Sequence, residues 1–209
     1  MRLLVTGASR GLGAVVARSF ENVTTLGRGE HLPTDFQCDA VIHCAGGGYG
    51  MRAPLLDKTN WITLLEGNLL NGIEINNIVI PGMKARGLGY IVHICSIASG
   101  EAVGSVAYNT VKAALAAYVR SLGREMAPHG VVGSGIAPGA FKSPGNAMER
   151  LEKQSPEAYQ DFINNRLPRK RMGTAEELIP LLKLLVSPEA SMMGGTVIPI
   201  DAGEGRYYE

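Results

Sequence analysis

Leu3-Leu4-Val5-Thr6-Gly7-Ala8-Ser9-Arg10-Gly11-Leu12-Gly13-Ala14-Val15-Val16-Ala17-Arg18 decides how the rest of the chain is read. Leu3 to Val5 form a short apolar run without polar alternation, the pattern of a strand buried on both faces. Glycines then fall at 7, 11 and 13, and an apolar, helix-forming run follows them. In the order strand, glycine turn, helix, the glycines allow a tight turn and let the backbone approach a pyrophosphate lying on the helix N-terminus. Gly7, Ser9, Arg10, Gly11, Leu12 and Gly13 are therefore candidate cofactor-binding residues.

Val23 to Leu26 reads as a second strand and ends in Gly27-Arg28. At this point of a dinucleotide site an acidic side chain takes the ribose 2′-hydroxyl, whereas an arginine accommodates a 2′-phosphate. Here Arg28 stands at the strand end, Arg10 lies inside the glycine turn, and no carboxylate appears before Glu30. The pattern favours NADP, with NAD as the alternative. Only eleven residues separate Arg28 from the next apolar run, Ala40-Val41-Ile42-His43-Cys44, and Pro33 is among them. A crossover containing a helix takes about ten to twelve residues at the least. Eleven extended residues span about 36–40 Å, enough to pass two or three strands at roughly 4.8 Å spacing. The spacing predicts a direct crossing without a regular helix.

The 209 residues are most simply one domain. A net charge of +1 gives no electrostatic basis for nucleic acid or an anionic membrane as the main partner. An apolar fraction of 45% speaks for a globular chain. Cys38, Cys44 and Cys95 are an odd count without Cys-x-x-Cys spacing, which fits a reducing cytoplasm better than a disulfide framework. No apolar run approaches the roughly eighteen residues that span a bilayer, and the opening Met-Arg-Leu-Leu-Val reads as a strand, not a leader.

Further along, Cys44 to Gly50 forms a loop at a strand's C-terminal end, where open α/β sheets bind ligands. Trp61 to Ile80 reads as a helix with Asn68 in its middle, broken by Pro81-Gly82 and by Gly87-Leu88-Gly89. Tyr90 to Cys95 is another buried-type strand and runs into Ser96. The helix from about Ser105 to Met126 carries Tyr108 and Lys112 on one face, about 5–6 Å apart at Cβ. An ammonium beside a phenol favours the phenolate, although this spacing by itself is usually a solvated helix face. Val131 to Ile136 is a weaker strand, Glu176 to Leu185 an amphipathic helix, and Thr196 to Ile200 a last strand. Between them, from about 140 to 171, the chain is polar and irregular, the composition of a substrate lid. Its Lys142, Arg166, Arg169, Lys170 and Arg171 read better as a solvated charged loop than as contacts to an anionic substrate. His43, Cys44, His93 and Cys95 invite a metal reading, but alternation puts His43 and Cys44 on opposite faces, so no metal site is expected.

Alternating strands and helices imply an α/β fold with a doubly wound parallel sheet, a Rossmann fold shortened after its second strand. Over nearly its whole length the chain resembles the short-chain dehydrogenase/reductase family, in particular single-domain reductases of the β-ketoacyl-carrier-protein reductase kind. Thr6 to Gly13 is similar to the family's Thr-Gly-x-x-x-Gly-x-Gly, and Cys44-Ala45-Gly46 stands where its Asn-Ala-Gly lies. Asn68, Ser96, Tyr108 and Lys112 fall at its four catalytic positions. Pro138-Gly139, followed by Phe141 and Ser143, resembles the turn that holds the nicotinamide. Arg171-Met172-Gly173 and Asp201-Ala202-Gly203 resemble its C-terminal signature.

The resemblance implies hydride transfer between NADP(H) and a small carbonyl or alcohol. Asn68, Ser96, Tyr108 and Lys112 would be catalytic. Ala45, Gly46, Tyr108, Lys112, Pro138, Gly139, Phe141 and Ser143 would join Arg28 and the glycine turn at the cofactor. It also implies a homodimer or homotetramer formed through the helices of Asn68 and Tyr108. Two departures stand out: Cys44 replaces an asparagine, and the passage from Arg28 to Ala40 lacks a strand, two helices and an adenine-binding Asp-hydrophobic pair, for which Asp35-Phe36 is the nearest substitute. Two other functions compete. A non-catalytic dinucleotide-binding regulator would have no need of the proton-relay set, and an NAD-dependent sugar-modifying dehydrogenase would need another glycine spacing and a larger C-terminal region.

Overall fold

A computed structural model gives the structure of residues 1–206. One sheet of six parallel strands runs β2-β1-β3-β4-β5-β8, with β1 Leu3–Thr6, β2 Val23–Leu26, β3 Ala40–His43, β4 Gly89–Ile94, β5 Val131–Pro138 and β8 Val197–Ile200. β1 and β3 are buried throughout, as their unbroken apolar runs require. Helices cover both faces. Leu3, Val5, Ala40 and Ile42 pack against α1 (Gly11–Arg18) and α7 (Ile179–Leu185). The alternate residues Leu4, Val41 and Ile91 pack against α3 (Asn71–Arg86) and the end of α4 (Val106–Met126). Period-two alternation thus assigns successive strand residues to two separate cores, which makes the sheet doubly wound.

The shortened crossing is present. No helix or strand lies between Leu26 and Ala40, and the segment passes β1 to reach β3. Because α1 links β1 to β2 over one face, a right-handed return to β3 must run over the other. Leu32, Phe36 and Cys38 accordingly pack beneath α3. Phe36 is therefore partly buried against the core beneath α3.

Two expectations are corrected. Pro81 and Gly82 do not end the helix: α3 continues to Arg86 and stops at Gly87, whose φ of +65° is left-handed. Pro81 lies on the solvent side, where water can satisfy the carbonyl it leaves unbonded, and Gly82 lets the Gln37 amide lie against the helix. The segment 140–171 is not irregular either. It holds β6 (Phe141–Lys142), which pairs with β7 just beyond the segment (Gly173–Thr174), and two helices, α5 (Ala147–Gln154) and α6 (Pro156–Arg166). Asn146 caps α5 by accepting a hydrogen bond from the Glu149 N–H at 2.9 Å, and the pair buries a small core of Tyr159, Ile163, Leu167 and Met172. Both helices are polar on average, which lets them pass for loop in a reading by composition.

Candidate active site

The glycine turn joins β1 to α1 at the C-terminal edge of the sheet. Gly7 and Gly11 have φ of +66° and +59°. A Cβ at Gly7 would fall 2.6 Å from the Ala45 nitrogen, so the turn and the loop after β3 lie backbone to backbone. Gly13 likewise leaves no room for a side chain against Gly7. Arg10, the residue before α1, makes no side-chain cap, and the helix has no acidic residue in its first turn. Its first N–H groups thus remain open to an anion. Leu12 turns its side chain into the core and can offer only backbone to a ligand. Ser143 and the Pro144 carbonyl come within 3.6 Å of where a Gly11 Cβ would stand, so the turn after β5 also meets the glycine turn.

At Gly27 the backbone N–H donates to the Glu30 carboxylate. An acidic group therefore folds back onto the end of β2, beside Arg28, which is exposed. The contact is local, closing between residues three apart in the chain.

Asn68 holds the loop after β3. It lies in a single π-helical turn, Glu66–Leu70, between α2 (Lys58–Leu65) and α3, and is 5% exposed. Its Nδ2 donates to Gly47 O at 3.0 Å and to Leu64 O at 2.9 Å, while its Oδ1 accepts from the Gly47 N–H at 2.9 Å. The amide is thus a two-pronged clamp on the glycine loop. π-turns recur at functional positions, and the unusual mid-helix asparagine was the only trace of this one in the sequence. Cys44, at the start of the loop, faces the main core, and burial pushes its thiol up to about 12.

Tyr108 and Lys112 lie near the start of α4. Ser105 caps the helix by accepting from the Tyr108 N–H at 3.3 Å, and its own hydroxyl donates to Met51 O at 3.1 Å. Lys112 is 4% exposed. Its ammonium donates to Ile94 O at 2.8 Å and stands 5.9 Å from the Tyr108 ring centroid. That bond ties α4 to the end of β4, two residues before Ser96. Ser96 caps the 3₁₀ turn Ile97–Ser99, accepting from the Ala98 N–H at 3.1 Å. A lysine this buried beside a half-open tyrosine is not a solvated helix face.

At the end of β5 stand Pro138 and Gly139. A Cβ on Gly139 would meet the Glu204 carboxylate at 2.6 Å, and the same carboxylate accepts from the Ala140 N–H. Phe141 packs its ring against the main core. Glu204 is 5% exposed and is bridged by Arg166 of α6, whose guanidinium also meets Glu101 at 2.8 Å. Sequence reasoning missed this triad because its members lie 38 and 65 residues apart. The other cations of segment 140–171 are engaged as well: Lys142 with Glu152, Arg169 and Arg171 with Glu177, Lys170 with Asn164 O.

Beneath the site lies a buried polar array. Thr6, His43 and His93 are register partners across β1, β3 and β4, and the two imidazoles stack at 4.3 Å. His43 Nε2–H donates to Asn76 Oδ1 at 2.9 Å, and Asn76 Nδ2 donates to Tyr118 at 2.9 Å and faces His93 Nε2 at 3.2 Å. Burial holds both histidines neutral, His43 at about 4 and His93 well below its ordinary value. Thr6 Oγ1 and His43 Nδ1 have no protein partner, and both residues line a cavity of about 20 Å³ that also borders Asn68, room for one water. Among the described residues no group of three or more His, Cys, Asp or Glu is placed to hold a metal ion.

A family model described as enoyl-(acyl carrier protein) reductase matches residues 33–204. The chain belongs to the short-chain dehydrogenase/reductase family. Membership makes it an oxidoreductase by class. Among curated relatives, the short-chain reductase protein NovJ of Streptomyces niveus is 27% identical over 94% of this chain and 75% of its own. The 3-oxoacyl-[acyl-carrier-protein] reductase MabA of Mycobacterium avium is 26% identical over 97% and 89%. A 3-oxoacyl (acyl-carrier-protein) reductase from Agrobacterium tumefaciens, solved with NADP bound, superposes with a TM-score of 0.83 at 24% identity, covering 97% of this chain and 93% of that one.

Proposed function

We propose that the chain transfers a hydride between NADP(H) and a carbonyl or alcohol carbon, with Ser96, Tyr108, Lys112 and Asn68 as the working side chains. The observation that carries this reading is the buried Lys112, bonded to the end of β4 and set beside Tyr108. The uncapped α1 and the glycine contacts around Gly7 and Gly13 fit a dinucleotide. Gly7, Ser9, Arg10, Gly11, Leu12, Gly13, Ala45, Gly46, Pro138, Gly139 and Ser143 would hold it, with Arg28 at a 2′-phosphate and Phe141 supporting the turn from the core. When bound, the nicotinamide supplies or accepts the hydride.

In the reductive direction Tyr108 gives its hydroxyl proton to the carbonyl oxygen as charge gathers there. Ser96 donates a hydrogen bond to the same oxygen and orients it. Lys112 keeps a positive charge behind Tyr108 and offers its remaining N–H groups to the nicotinamide ribose. Asn68 fixes the loop that forms one wall and lies on the path by which protons reach Lys112. Helices α5 and α6 form the substrate lid, drawn to the body by Arg166. The relatives named for reduction of 3-oxoacyl groups and the NADP-bound neighbour support this assignment. Exposed Ile62, Leu70 and Val106 on the helices of Asn68 and Tyr108 support a homo-oligomer, and no described helix is long and apolar enough to cross a membrane; a cytoplasmic location is the reading consistent with the free cysteines.

One observation favours NAD instead: Glu30, bonded at Gly27, stands where an acid would take a ribose 2′-hydroxyl. The deciding experiment for the chemistry is Tyr108→Phe, assayed with NADPH and a panel of ketones by loss of nicotinamide absorbance. Turnover should fall by at least about a thousandfold while cofactor affinity stays within about twofold. Unchanged turnover overturns the assignment.

A further inference from the structure

The short crossing removes a strand and its helices from the side of the sheet where β1 and β2 end, and Phe36, the aromatic nearest in sequence, is partly buried against the core. Another aromatic ring stands on that side. Tyr49 follows Gly46, Gly47 and Gly48 in the loop after β3 and has φ of +49°. That conformation is rare for a bulky residue and costs on the order of a kcal/mol or more. It turns the phenol onto the π-turn at Gly67, where a Cβ would overlap the Tyr49 hydroxyl and lie 2.8 Å from ring carbon Cζ. Gly67 immediately precedes Asn68, the clamp on Gly47. The ring is therefore located by two unusual choices, a left-handed tyrosine and a glycine inside a helix.

A ring that served only to fill space would be covered. Tyr49 remains 39% exposed: its tip is seated on the helix while much of its surface stays open. Burial raises its phenol, and the charges that oppose this are Arg28 and Arg10, the two arginines of the β2 end and the glycine turn. One residue earlier, a Cβ on Gly48 would stand 3.8 Å from the Tyr108 ring. The loop thus reaches from the proton donor to the arginine side of the groove.

We propose that Tyr49 is the platform on which the adenine of the dinucleotide stacks, replacing the wall lost with the missing strand and helices. The proposal rests on the dinucleotide-dependent reading above. A base stacked on an aromatic ring gains affinity from the ring face and not from the hydroxyl, so phenylalanine should substitute for Tyr49 and an aliphatic side chain should not.

Isothermal titration of the full chain with NADPH, 5′-AMP and reduced nicotinamide mononucleotide separates the two ends of the cofactor. Tyr49→Ala and Tyr49→Leu should each raise the Kd for NADPH and for 5′-AMP about tenfold, and Tyr49→Phe should leave both within about twofold. None of the three should change the Kd for reduced nicotinamide mononucleotide, which lacks adenine. Equal losses for the mononucleotide and NADPH would mean that Tyr49 only shapes the loop and would overturn the proposal, as would unchanged 5′-AMP binding in Tyr49→Leu or a tenfold loss in Tyr49→Phe. If Tyr49→Ala fails to fold, the leucine and phenylalanine variants decide. Wild-type protein that binds no dinucleotide would remove the functional reading together with this one, whereas tight NADPH binding indifferent to residue 49 would remove this one alone.

Discussion

Acid should weaken this protein through the stacked histidines under its active site, and His43→Gln should relieve about half of the effect. In the unfolded chain an imidazole takes up its proton near pH 6.5. In the folded protein burial holds His43 unprotonated down to about 4, and holds His93 well below its ordinary value. Between those limits the unfolded state binds more protons than the folded one, so stability falls as pH falls. Above about pH 6.5 neither state is protonated, and the effect is absent. For His43 alone the window is about 2.5 pH units, and at about 1.4 kcal/mol per unit the loss approaches 3 kcal/mol by pH 4. His93 adds a second loss of the same sign. Urea unfolding followed by Trp61 fluorescence at half-unit steps from pH 7.5 to 4.5 reads the slope directly. Wild type should lose stability with a slope near two protons around pH 5, and His43→Gln with a slope near one. Equal slopes in the two proteins, or a wild-type stability that is flat from pH 6.5 to 5, would refute the reasoning.

The arginine side of the groove and the lid give further tests. Arg10→Ala with Arg28→Ala should weaken NADPH by about ten- to a hundredfold while changing NADH little; an equal effect on both would reject the 2′-phosphate assignment. Glu30→Gln should act oppositely, improving NADPH relative to NADH by a few fold, since it removes a carboxylate from the end of β2. Replacing Arg166 with methionine leaves the 5%-exposed Glu204 without its cation. That should cost about 2 kcal/mol of stability and raise KM for the ketone more than it lowers kcat, measurable by thermal unfolding and steady-state kinetics.

What could be read without coordinates was local or arithmetical. The stretch from Leu3 to Arg18 announced strand, turn and helix because each residue's preference agreed with its neighbours. The helix-free crossing followed from counting residues against strand spacing, and Asn68 was visible as a poor helix residue in a helical run. The remainder depended on pairs far apart in the chain. Glu204 meets Ala140 across 64 residues, and Arg166 meets Glu101 across 65. Strand alternation kept Cys44 and His43 apart, but only the register of β3 with β4 could bring His43 onto His93. Helices α5 and α6 were hidden by their polarity, and the continuation of α3 beyond Pro81 depended on which side of the helix met water.

The missing strand also changes what lies at the rim of the sheet. β2 is outermost, with Thr24 and Thr25 open to solvent. A bare rim of backbone donors and acceptors is a template on which other chains can add strands. Here the rim is four residues long, so it presents only about two donors outward, too few to hold a foreign strand. It closes on Gly27 and the charged Arg28. The same economy that shortened the crossing therefore keeps the exposed flank from becoming a nucleus for aggregation, and substitutions that extend β2 with β-branched residues past Leu26 would forfeit that protection.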